Sequence, residues 1–332
     1  MSVKVAFHSY QLGQRGTEIH LYKYAKFNQE ILGNESIVIS TSSRPTPALD
    51  MFSKEFKVVL YPDVWVPDGV NLQLRTTLER VVDDQKITHF WAIKGGESDG
   101  FMPTNAKTFA HCVFNMSQPH GDIYAGICKY ISKKHGGSFP WVYPIVEKES
   151  PETTEDYREE LGIPKNAIVM GRHGGSDTFS LNFVKQAIYE SLMMRGDLHF
   201  VFLNTDKFID HPRVHHLPYT SDFSEKAKFV NTCDAMIHAR SDGEIFSLSI
   251  AEFSTRNKPV ISWLPRVPPP EYDLGHLEVL GNNAIYYENS VDLKQILLNI
   301  TKEDIRDKNW DVYGNTFSPE SVMKDFERLF LK

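Results

Sequence analysis

The sequence has few cysteines and no long apolar run. Its three cysteines, Cys112, Cys128 and Cys233, form no Cys-x-x-Cys pair, which suits a reducing compartment and argues against a disulfide framework or a zinc site. No stretch of about 18 apolar residues occurs, as a membrane-spanning helix would need, and the first residues, MSVKVAFHSYQLG, contain no apolar signal core. We therefore expect a cytoplasmic protein without a transmembrane segment, for which peripheral contact with a membrane stays open.

Positive charge is also scarce. The 36 lysine and arginine residues are outnumbered by 43 acidic residues, and the net charge is -7 with no long basic run. A nucleic-acid partner, which would need a phosphate-binding surface, is not expected. The chain also lacks an Asp-x-Asp motif of the kind that holds a metal and a diphosphate, and the pair His211 and His215 lacks a third ligand in sequence. We predict no metal site.

The rest of the composition is typical of a folded α/β protein. A length of 332 residues suggests two domains, and 41% hydrophobic residues can fill their cores. Short apolar runs alternate with helical patterns, which predicts mostly parallel sheets flanked by helices. A charged, proline-bearing stretch at 146–152 indicates a boundary. We predict domains at 1–147 and 148–315, and a C-terminal amphipathic helix at 316–332 that could pack back on the first domain.

A glycine-bearing turn follows the first predicted strand. Residues 3–9 alternate and are rich in β-branched side chains, the turn carries Gly13 and Gly16, and a helical pattern runs to about Glu30. Such a turn presents backbone N–H groups to an anion, but the spacing matches neither GxGxxG nor a P-loop. An anion site and a plain strand-to-helix turn are both open interpretations.

His120 follows a predicted strand at 107–116, beside Gly121. A histidine after a strand end is either a functional group or a structural hydrogen-bonding residue. Asp122 is predicted to cap a helix at 123–134.

A second glycine-rich loop, GRHGGSD, lies between a strand predicted at 167–171 and a helix predicted at 180–194. Its Arg172 carries a permanent charge and several donors, so the loop could clamp a diphosphate, and a plain surface arginine is the alternative. Further strands are predicted at 199–204, 214–217, 235–238 and 259–263, and further helices at 224–232 and 246–256.

Two carboxylates mark the helix predicted at 246–256. Glu244 lies in the polar loop before it, and Glu252 lies inside it among apolar residues, with seven residues between the two. An acid among apolar neighbours is costly unless it is paired or bound to something polar. We therefore interpret Ser241–Pro259 as a ligand site.

The stretch SDGEIFSLSIAEFSTRNKPVI is similar to the signature of retaining glycosyltransferases of the GT-B fold, family four, in which seven residues also separate two glutamates. The residues in register with that signature are Ser241, Glu244, Phe246, Leu248, Glu252, Lys258, Pro259 and Val260. The resemblance implies an α/β protein with two Rossmann-like domains facing across a cleft. The acceptor would belong to the N-terminal domain and the nucleotide sugar to the C-terminal domain.

The resemblance also implies roles for residues of the second domain. Glu252 would accept hydrogen bonds from the ribose hydroxyls, Glu244 would contact the sugar, and Tyr219 lies in the loop that would receive the base. The donor would also face backbone N–H groups at a helix N-terminus, those of Phe246, Ser247 and Leu248.

The diphosphate would be bound by Arg172 and by the turn that contains Gly13 and Gly16, which would stabilise charge on the leaving group. His120 matches the family's active-site histidine in approximate place. The resemblance thus implies three catalytic residues, Glu244, His120 and Arg172.

Two departures from the family pattern stand out. Ile245 and Ser247 occupy positions where glycines are usual, and small residues there let backbone approach the sugar. The family's diphosphate lysine, expected a few residues after Arg172, is missing, so either Arg172 acts with backbone donors or Lys185 or another base substitutes.

We therefore expect transfer of a sugar from a UDP- or GDP-linked co-substrate to a glycan, lipid or small-molecule acceptor, with retention and without a metal or other cofactor. A nucleotide-sugar epimerase-like enzyme of the same fold and a non-catalytic protein that binds nucleotide sugars or glycans are the alternatives.

Overall fold

The computed structural model describes residues 3–62, 72–147, 154–220 and 222–332, and most of the boundary predicted at 146–152 lies outside them. The chain divides into two compact units. Unit 1 comprises Met1–Ile145 and Phe317–Lys332, and unit 2 comprises Val146–Thr316. Within the described ranges, no helix combines the length and the apolar character needed to cross a membrane.

Strands and helices alternate along both units. The strands of unit 1 are β1 (Lys4–His8), β2 (Glu35–Thr41), β3 (Lys57–Tyr61), β4 (His89–Lys94), β5 (Lys107–Cys112) and β6 (Ile123–Gly126). The strands of unit 2 are β7 (Ile168–His173), β8 (Leu198–Leu203), β9 (Val214–Leu217), β10 (Ala235–His238), β11 (Val260–Trp263) and β12 (Ile285–Tyr287). The helices are α1 (Gly16–Glu30), α2 (Leu49–Glu55), α3 (Leu72–Gln85), α4 (Lys129–Lys134), α5 (Asn182–Met194), α6 (Phe223–Thr232), α7 (Leu248–Ser254), α8 (Gly275–Leu280), α9 (Ser290–Asn299), α10 (Lys302–Arg306) and α11 (Pro319–Phe326).

The two sheets share one topology. Their strand orders are β3-β2-β1-β4-β5-β6 and β12-β11-β10-β7-β8-β9, and every pair of neighbours is parallel. In each unit the chain builds from its first strand toward one edge and then returns to build toward the other, as in the doubly wound Rossmann fold. The predicted α/β class with two Rossmann-like domains is confirmed.

Helices cover the first sheet on both faces because successive strand side chains point to opposite sides. Ala6 of β1 belongs to a buried cluster with Leu78 of α3. The next residue, Phe7, stacks on Phe326 of α11, which also meets Tyr24 of α1 edge to face. Helix α11 is therefore part of unit 1, and it continues into a π-helical turn, Glu327–Leu331.

The prediction of a helix at 123–134 is wrong for the first half of that range. Ile123–Gly126 form a strand that pairs with β5, and only Lys129–Lys134 are helical. Asp122 does not cap a helix: its Oδ2 accepts from the backbone N and the Oγ1 of Thr108 at 2.7 and 2.8 Å, which ties it to β5. Periodicity cannot distinguish a four-residue strand from a helical turn, so the pairing with β5 decides.

The end of β7 directs consecutive side chains to opposite faces of the second sheet. The guanidinium carbon of Arg172 lies 5.9 Å from the ring centroid of Phe179, which belongs to the core between the sheet and α5. The ring of His173 packs instead against Phe229 of α6, with centroids 5.7 Å apart. The strands predicted at 214–217 and 235–238 are confirmed with their bounds.

Candidate functional site

A recess opens at the carboxyl ends of β7 and β10. These strands are neighbours in unit 2, and the chain leaves them toward opposite edges of the sheet, so the recess lies where the strand order reverses. In open α/β sheets this crevice is where ligands bind. The recess is lined by Arg172, His173, Gly174, Gly175, Thr178, His238, Ala239, Arg240, Glu244 and Ser249.

A close approach of two loops fixes the backbone of Glu244. Its N–H donates to the carbonyl of Asp273 at 3.1 Å, and its own carbonyl accepts from the N–H of His276 at 3.0 Å. A Cβ at Gly243, whose φ is +65°, would lie 2.1 Å from the Asp273 carbonyl oxygen. Both the approach and the positive φ therefore require glycine at position 243, directly before the acid.

The Glu244 carboxylate faces two basic side chains. Its Oε2 accepts from Nη1 of Arg240 at 3.1 Å, and its Oε1 lies 3.7 Å from Nε2 of His238. Burial would raise the pKa of Glu244, but its neighbours His238 and Arg240 hold the pKa below its usual value. Glu244 is thus ionised at neutral pH, which suits it to accept hydrogen bonds or stabilise positive charge rather than donate a proton.

A second histidine stands beside His238. The rings of His238 and His276 have centroids 4.8 Å apart, and both rings approach the hydroxyl of Ser262, at 3.3 and 3.4 Å. Burial and then the nearby His238 lower the pKa of His276 to about 3, so this ring is neutral. Nε2 of His238 has no hydrogen-bond partner among the described residues, and His238 lines the recess.

Arg172 is buried and already bound by protein acceptors. Its Nη1 donates to Oγ1 of Thr205 at 2.5 Å and to the carbonyl of Asn204 at 3.3 Å. Its Nη2 donates to the carbonyl of Gly175 at 2.9 Å and to Oγ1 of Thr178. Burial lowers the pKa of Arg172 to about 10, so the guanidinium remains charged at neutral pH. Arg172 therefore holds the glycine loop against the turn after β8.

Glu252 on α7 meets a histidine from the end of β7. Nε2 of His173 lies 2.6 Å from Oε2 of Glu252, and the side chains are only 11% and 14% exposed. Phe229 and Phe253 flank the histidine ring. The contact is an ion pair when His173 is protonated, and it ties Glu252 to a residue that lines the recess.

The helix start between the two glutamates has an unusual backbone. Ser247 adopts φ 64° and ψ 99°, and its Oγ accepts from the N–H of Ile250 at 3.5 Å as the cap of α7. Phe246 is buried, and its carbonyl accepts from the Tyr313 hydroxyl at 3.0 Å. Leu248 is the first residue of α7. A positive φ is a conformation that glycine adopts freely and serine does not.

Tyr219 lies apart from the recess. It follows β9, at the edge of the same sheet and two strands from β7. Its side chain is 38% exposed, and it is not among the lining residues. Burial raises its pKa. The structure thus places Glu244 and Arg172 in the lining of one recess and Glu252 against His173, which also lines it, whereas Tyr219 stands outside it.

Gly13 and Gly16 lie in unit 1, where α1 begins at Gly16. A buried carboxylate lies at the same turn: Glu18 is 2% exposed, and its Oε2 accepts from Oγ1 of Thr17 at 2.8 Å. A Cβ at Gly13 would lie 3.2 Å from the same oxygen. Burial raises the pKa of Glu18. A phosphate at this turn would face that carboxyl, which disfavours it unless Glu18 is protonated or moves.

His120 lies in the crossover between β5 and β6 of unit 1. Its Nδ1 donates to the carbonyl of Gln118 at 2.8 Å, which leaves Nε2 as the nitrogen with the lone pair. This Nε2 is buried and has no hydrogen-bond partner in the part of the chain that the structure describes. The geometry therefore leaves His120 able to accept a proton or a hydrogen bond.

Three basic residues of the recess were not assigned roles from the sequence: His173, His238 and Arg240. All three lie at or just beyond the carboxyl end of a central strand. That position, beside a switch point, is the signal that could have indicated them.

The residues that the structure describes contain no group of three or more His, Cys, Asp or Glu side chains suited to a metal ion. Glu244 and Glu252 each contact a basic side chain instead.

No family model matches the sequence, and no curated protein matches it. Solved structures match its fold. A glycosyltransferase from Rickettsia africae matches with a TM-score of 0.71 and 15% identity, over 99% of this chain and 98% of its own. HepE from Anabaena in complex with UDP-glucose matches with a TM-score of 0.65 and 13% identity, over 98% and 95%. A Listeria monocytogenes protein assigned as UDP-N-acetylglucosamine 2-epimerase matches with a TM-score of 0.61 and 14% identity, over 100% and 97%. At these identities the likeness shows the fold alone, and that fold is GT-B, with two Rossmann-like domains.

Proposed function

We propose that the protein is a glycosyltransferase that moves a sugar from a nucleotide-diphosphate sugar to an acceptor. One observation carries the proposal: Glu244, Arg240 and His238 meet in a recess at the switch point of unit 2. A carboxylate suits sugar hydroxyls and basic groups suit a diphosphate. The likeness in fold to HepE, which was solved with UDP-glucose, supports a nucleotide sugar as the ligand.

The surroundings of the two glutamates suggest separate roles. Glu244, ionised beside Arg240, would contact the sugar and stabilise positive charge that develops at its anomeric carbon. Glu252 would accept hydrogen bonds from the ribose, in exchange for its contact with His173. His120 of unit 1 keeps its proposed role as a catalytic histidine. A role of the turn with Gly13 and Gly16 toward the diphosphate would require Glu18 to be protonated or to move.

We extend the proposal to retention of configuration and to catalysis without a metal, because of the resemblance of the Ser241–Pro259 segment to retaining enzymes and the lack of an Asp-x-Asp motif. The co-substrate would be a UDP- or GDP-sugar and the acceptor a glycan, a lipid or a small molecule. A cytoplasmic location, with or without peripheral membrane contact, stays a prediction.

The test is nucleotide release from a panel of UDP- and GDP-sugars, with and without glycan and lipid acceptors and with and without EDTA. The proposal expects release that depends on the acceptor, an α-linked product from an α-linked donor, and equal rates in EDTA. A β-linked product would refute retention, and a loss of activity in EDTA would refute metal independence.

A nucleotide-sugar epimerase is the second candidate, favoured by the likeness in fold to the Listeria monocytogenes protein. It predicts conversion of a nucleotide sugar in the absence of any acceptor. A non-catalytic nucleotide-sugar or glycan-binding protein predicts thermal stabilisation by its ligand without turnover. The same panel therefore separates the three functions.

A further inference from the structure

The recess contains two arginines, and their hydrogen bonds differ. The two terminal nitrogens of Arg172 make four hydrogen bonds to protein oxygens, among them the carbonyls of Asn204 and Gly175. Its residue exposure is 4%. A phosphate that took these N–H groups would leave buried carbonyls without donors, at a cost of roughly 1–3 kcal/mol for each. Arg172 is therefore poorly placed to bind an incoming anion.

Arg240, in contrast, is more exposed and makes fewer hydrogen bonds to protein oxygens. Its side chain is 34% exposed, and its Nη1 donates to Glu244 at 3.1 Å. Its Nε is buried and lacks a hydrogen-bond partner among the residues described, and Oδ2 of Asp242 lies 4.0 Å from it. A buried N–H without an acceptor is unfavourable, and an anion in the recess would supply one.

We infer that Arg240, and not Arg172, is the residue that binds the diphosphate of the nucleotide sugar, and that Arg172 is a positioning residue for the glycine loop. The inference rests on the proposed function. A guanidinium offers Nε and a terminal nitrogen as a parallel pair of donors that matches two phosphate oxygens. Residues 173–178, which complete the other wall of the recess, contain no lysine or arginine.

The place of Arg240 in the chain also fits this role. It lies four residues before Glu244 and contacts its carboxylate. A diphosphate bound to Arg240 would thus lie next to the acid that we assign to the sugar, which is the order of groups in a nucleotide sugar. Arg240 would bridge the leaving group and Glu244, and would stabilise the charge that develops on the leaving group.

The experiment compares diphosphates with nucleosides. Dissociation constants of UDP and GDP are measured by calorimetry, and those of uridine and guanosine by ligand-observed NMR, for the wild type, Arg240→Gln, Arg240→Lys and Arg328→Gln. Arg328 is the matched control, because its side chain is 73% exposed, pairs with Asp325 at 2.9 Å and is not among the residues that line the recess.

We expect Arg240→Gln to weaken binding of the preferred diphosphate by roughly 10- to 100-fold, as expected for charge-assisted hydrogen bonds. Binding of the matching nucleoside should not change. Arg240→Lys, which keeps the charge and loses the paired donors, should have an intermediate effect. Arg328→Gln should bind like the wild type.

The outcomes separate the inference from the proposed function. If the wild type binds neither UDP nor GDP, the proposed function fails and the inference fails with it. If the wild type binds a diphosphate and Arg240→Gln binds it equally well, the inference alone is refuted. It is also refuted if Arg240→Gln loses affinity for the nucleoside by the same factor as for the diphosphate.

Arg172 provides a second check. If Arg172 is a positioning residue, Arg172→Lys should lower the melting temperature of the ligand-free protein. It should also weaken the binding of the diphosphate and of the nucleoside alike. A variant with unchanged melting temperature that loses only the diphosphate would show that Arg172 is the phosphate ligand, and would overturn the inference.

Discussion

Glu244 and Glu252 have different surroundings, and these separate what each can do. Glu244 lies between Arg240 and His238 with its pKa held low. Glu252 contacts a histidine, His173. Glu244 is an anion at a fixed place in the recess. The histidine that Glu252 contacts lines the recess, and a ligand hydroxyl could replace this contact.

Replacing Glu244 by glutamine keeps the size of the side chain and removes its charge. We expect kcat to fall roughly 100-fold or more, as for other groups that stabilise charge at a reacting centre, while the affinity for the nucleotide diphosphate changes little. Glu278→Gln, at an exposed position of α8, serves as the control. A kcat for Glu244→Gln within threefold of the wild type would contradict the assignment.

Ser247 has a positive φ of 64° and also caps α7. Ser247→Gly and Ser247→Ala both remove the capping hydroxyl, but only glycine adopts this φ without steric cost. We therefore expect the glycine variant to be about 1 kcal/mol more stable than the alanine variant. Urea unfolding of the two proteins checks this, and equal midpoints would show that position 247 carries no strain.

Most helices and strands that depend on the local pattern of residues could be predicted from the sequence. Strands β9 and β10, for example, were predicted with their bounds. Strand β6 was missed because its apolar residues continue without a turn signal into the helical pattern that follows, and only its pairing with β5 identifies it as a strand.

Contacts between segments that are far apart in the sequence explain the other differences between the prediction and the structure. Glu244 and Glu252 could be identified because their spacing is local. The hydrogen bonds of Arg172 to Asn204 and Thr205 join segments 32 and 33 residues apart, and no sequence pattern encodes them. The positioning role that we infer for Arg172 therefore rests on contacts that the sequence does not show.

A substitution at Gly171 tests how tightly β7, the strand that bears Arg172 and His173, is packed. A Cβ there would lie 2.2 Å from Sγ of Cys233. We expect Gly171→Ala to lower the free energy of unfolding by about 1–3 kcal/mol, the usual cost of overpacking a core.

Gly196 is the matched control for Gly171, because no described atom comes within 4 Å of a Cβ built there. Gly196→Ala should leave the free energy of unfolding nearly unchanged. If the two alanine variants unfold at the same urea concentration, the close contact between β7 and Cys233 is not present in solution.

At the scale of the whole molecule, both units bury neutral histidines. In unit 1, Nε2 of His111 donates to the carbonyls of Gly126 and Val142, so its Nδ1 accepts from His20 at 3.2 Å. Burial lowers the pKa of His111 to about 4, and that of His276 in unit 2 to about 3. Both rings are therefore neutral at neutral pH.

These lowered pKa values predict that the folded protein loses stability in acid. The ordinary pKa of histidine is about 6.5, so below that pH the unfolded chain binds protons that the folded protein does not. Stability from His111 and His276 should be complete above about pH 6.5 and decline as the pH falls toward 4 and 3. The raised pKa of Glu18 acts in the opposite direction.

Urea unfolding between pH 7.5 and 4.5 measures this effect. A single buried histidine shifted to about 4, as His111 is, would contribute on the order of 3 kcal/mol over the full transition. We expect the midpoint to fall steadily below about pH 6.5. A midpoint that stays level or rises down to pH 4.5 would contradict the neutral, buried state of these rings.

The central claim is that Glu252 and the recess of unit 2 bind a nucleotide sugar. Its most direct test is calorimetric titration of the wild type and Glu252→Ala with a panel of UDP- and GDP-sugars, with melting temperatures of the free proteins as the check on folding. We predict that the wild type binds at least one donor, and that Glu252→Ala binds it roughly 10- to 100-fold more weakly because ribose loses a charged acceptor. Failure of the wild type to bind any donor, or equal affinity in a folded Glu252→Ala variant, would contradict the claim.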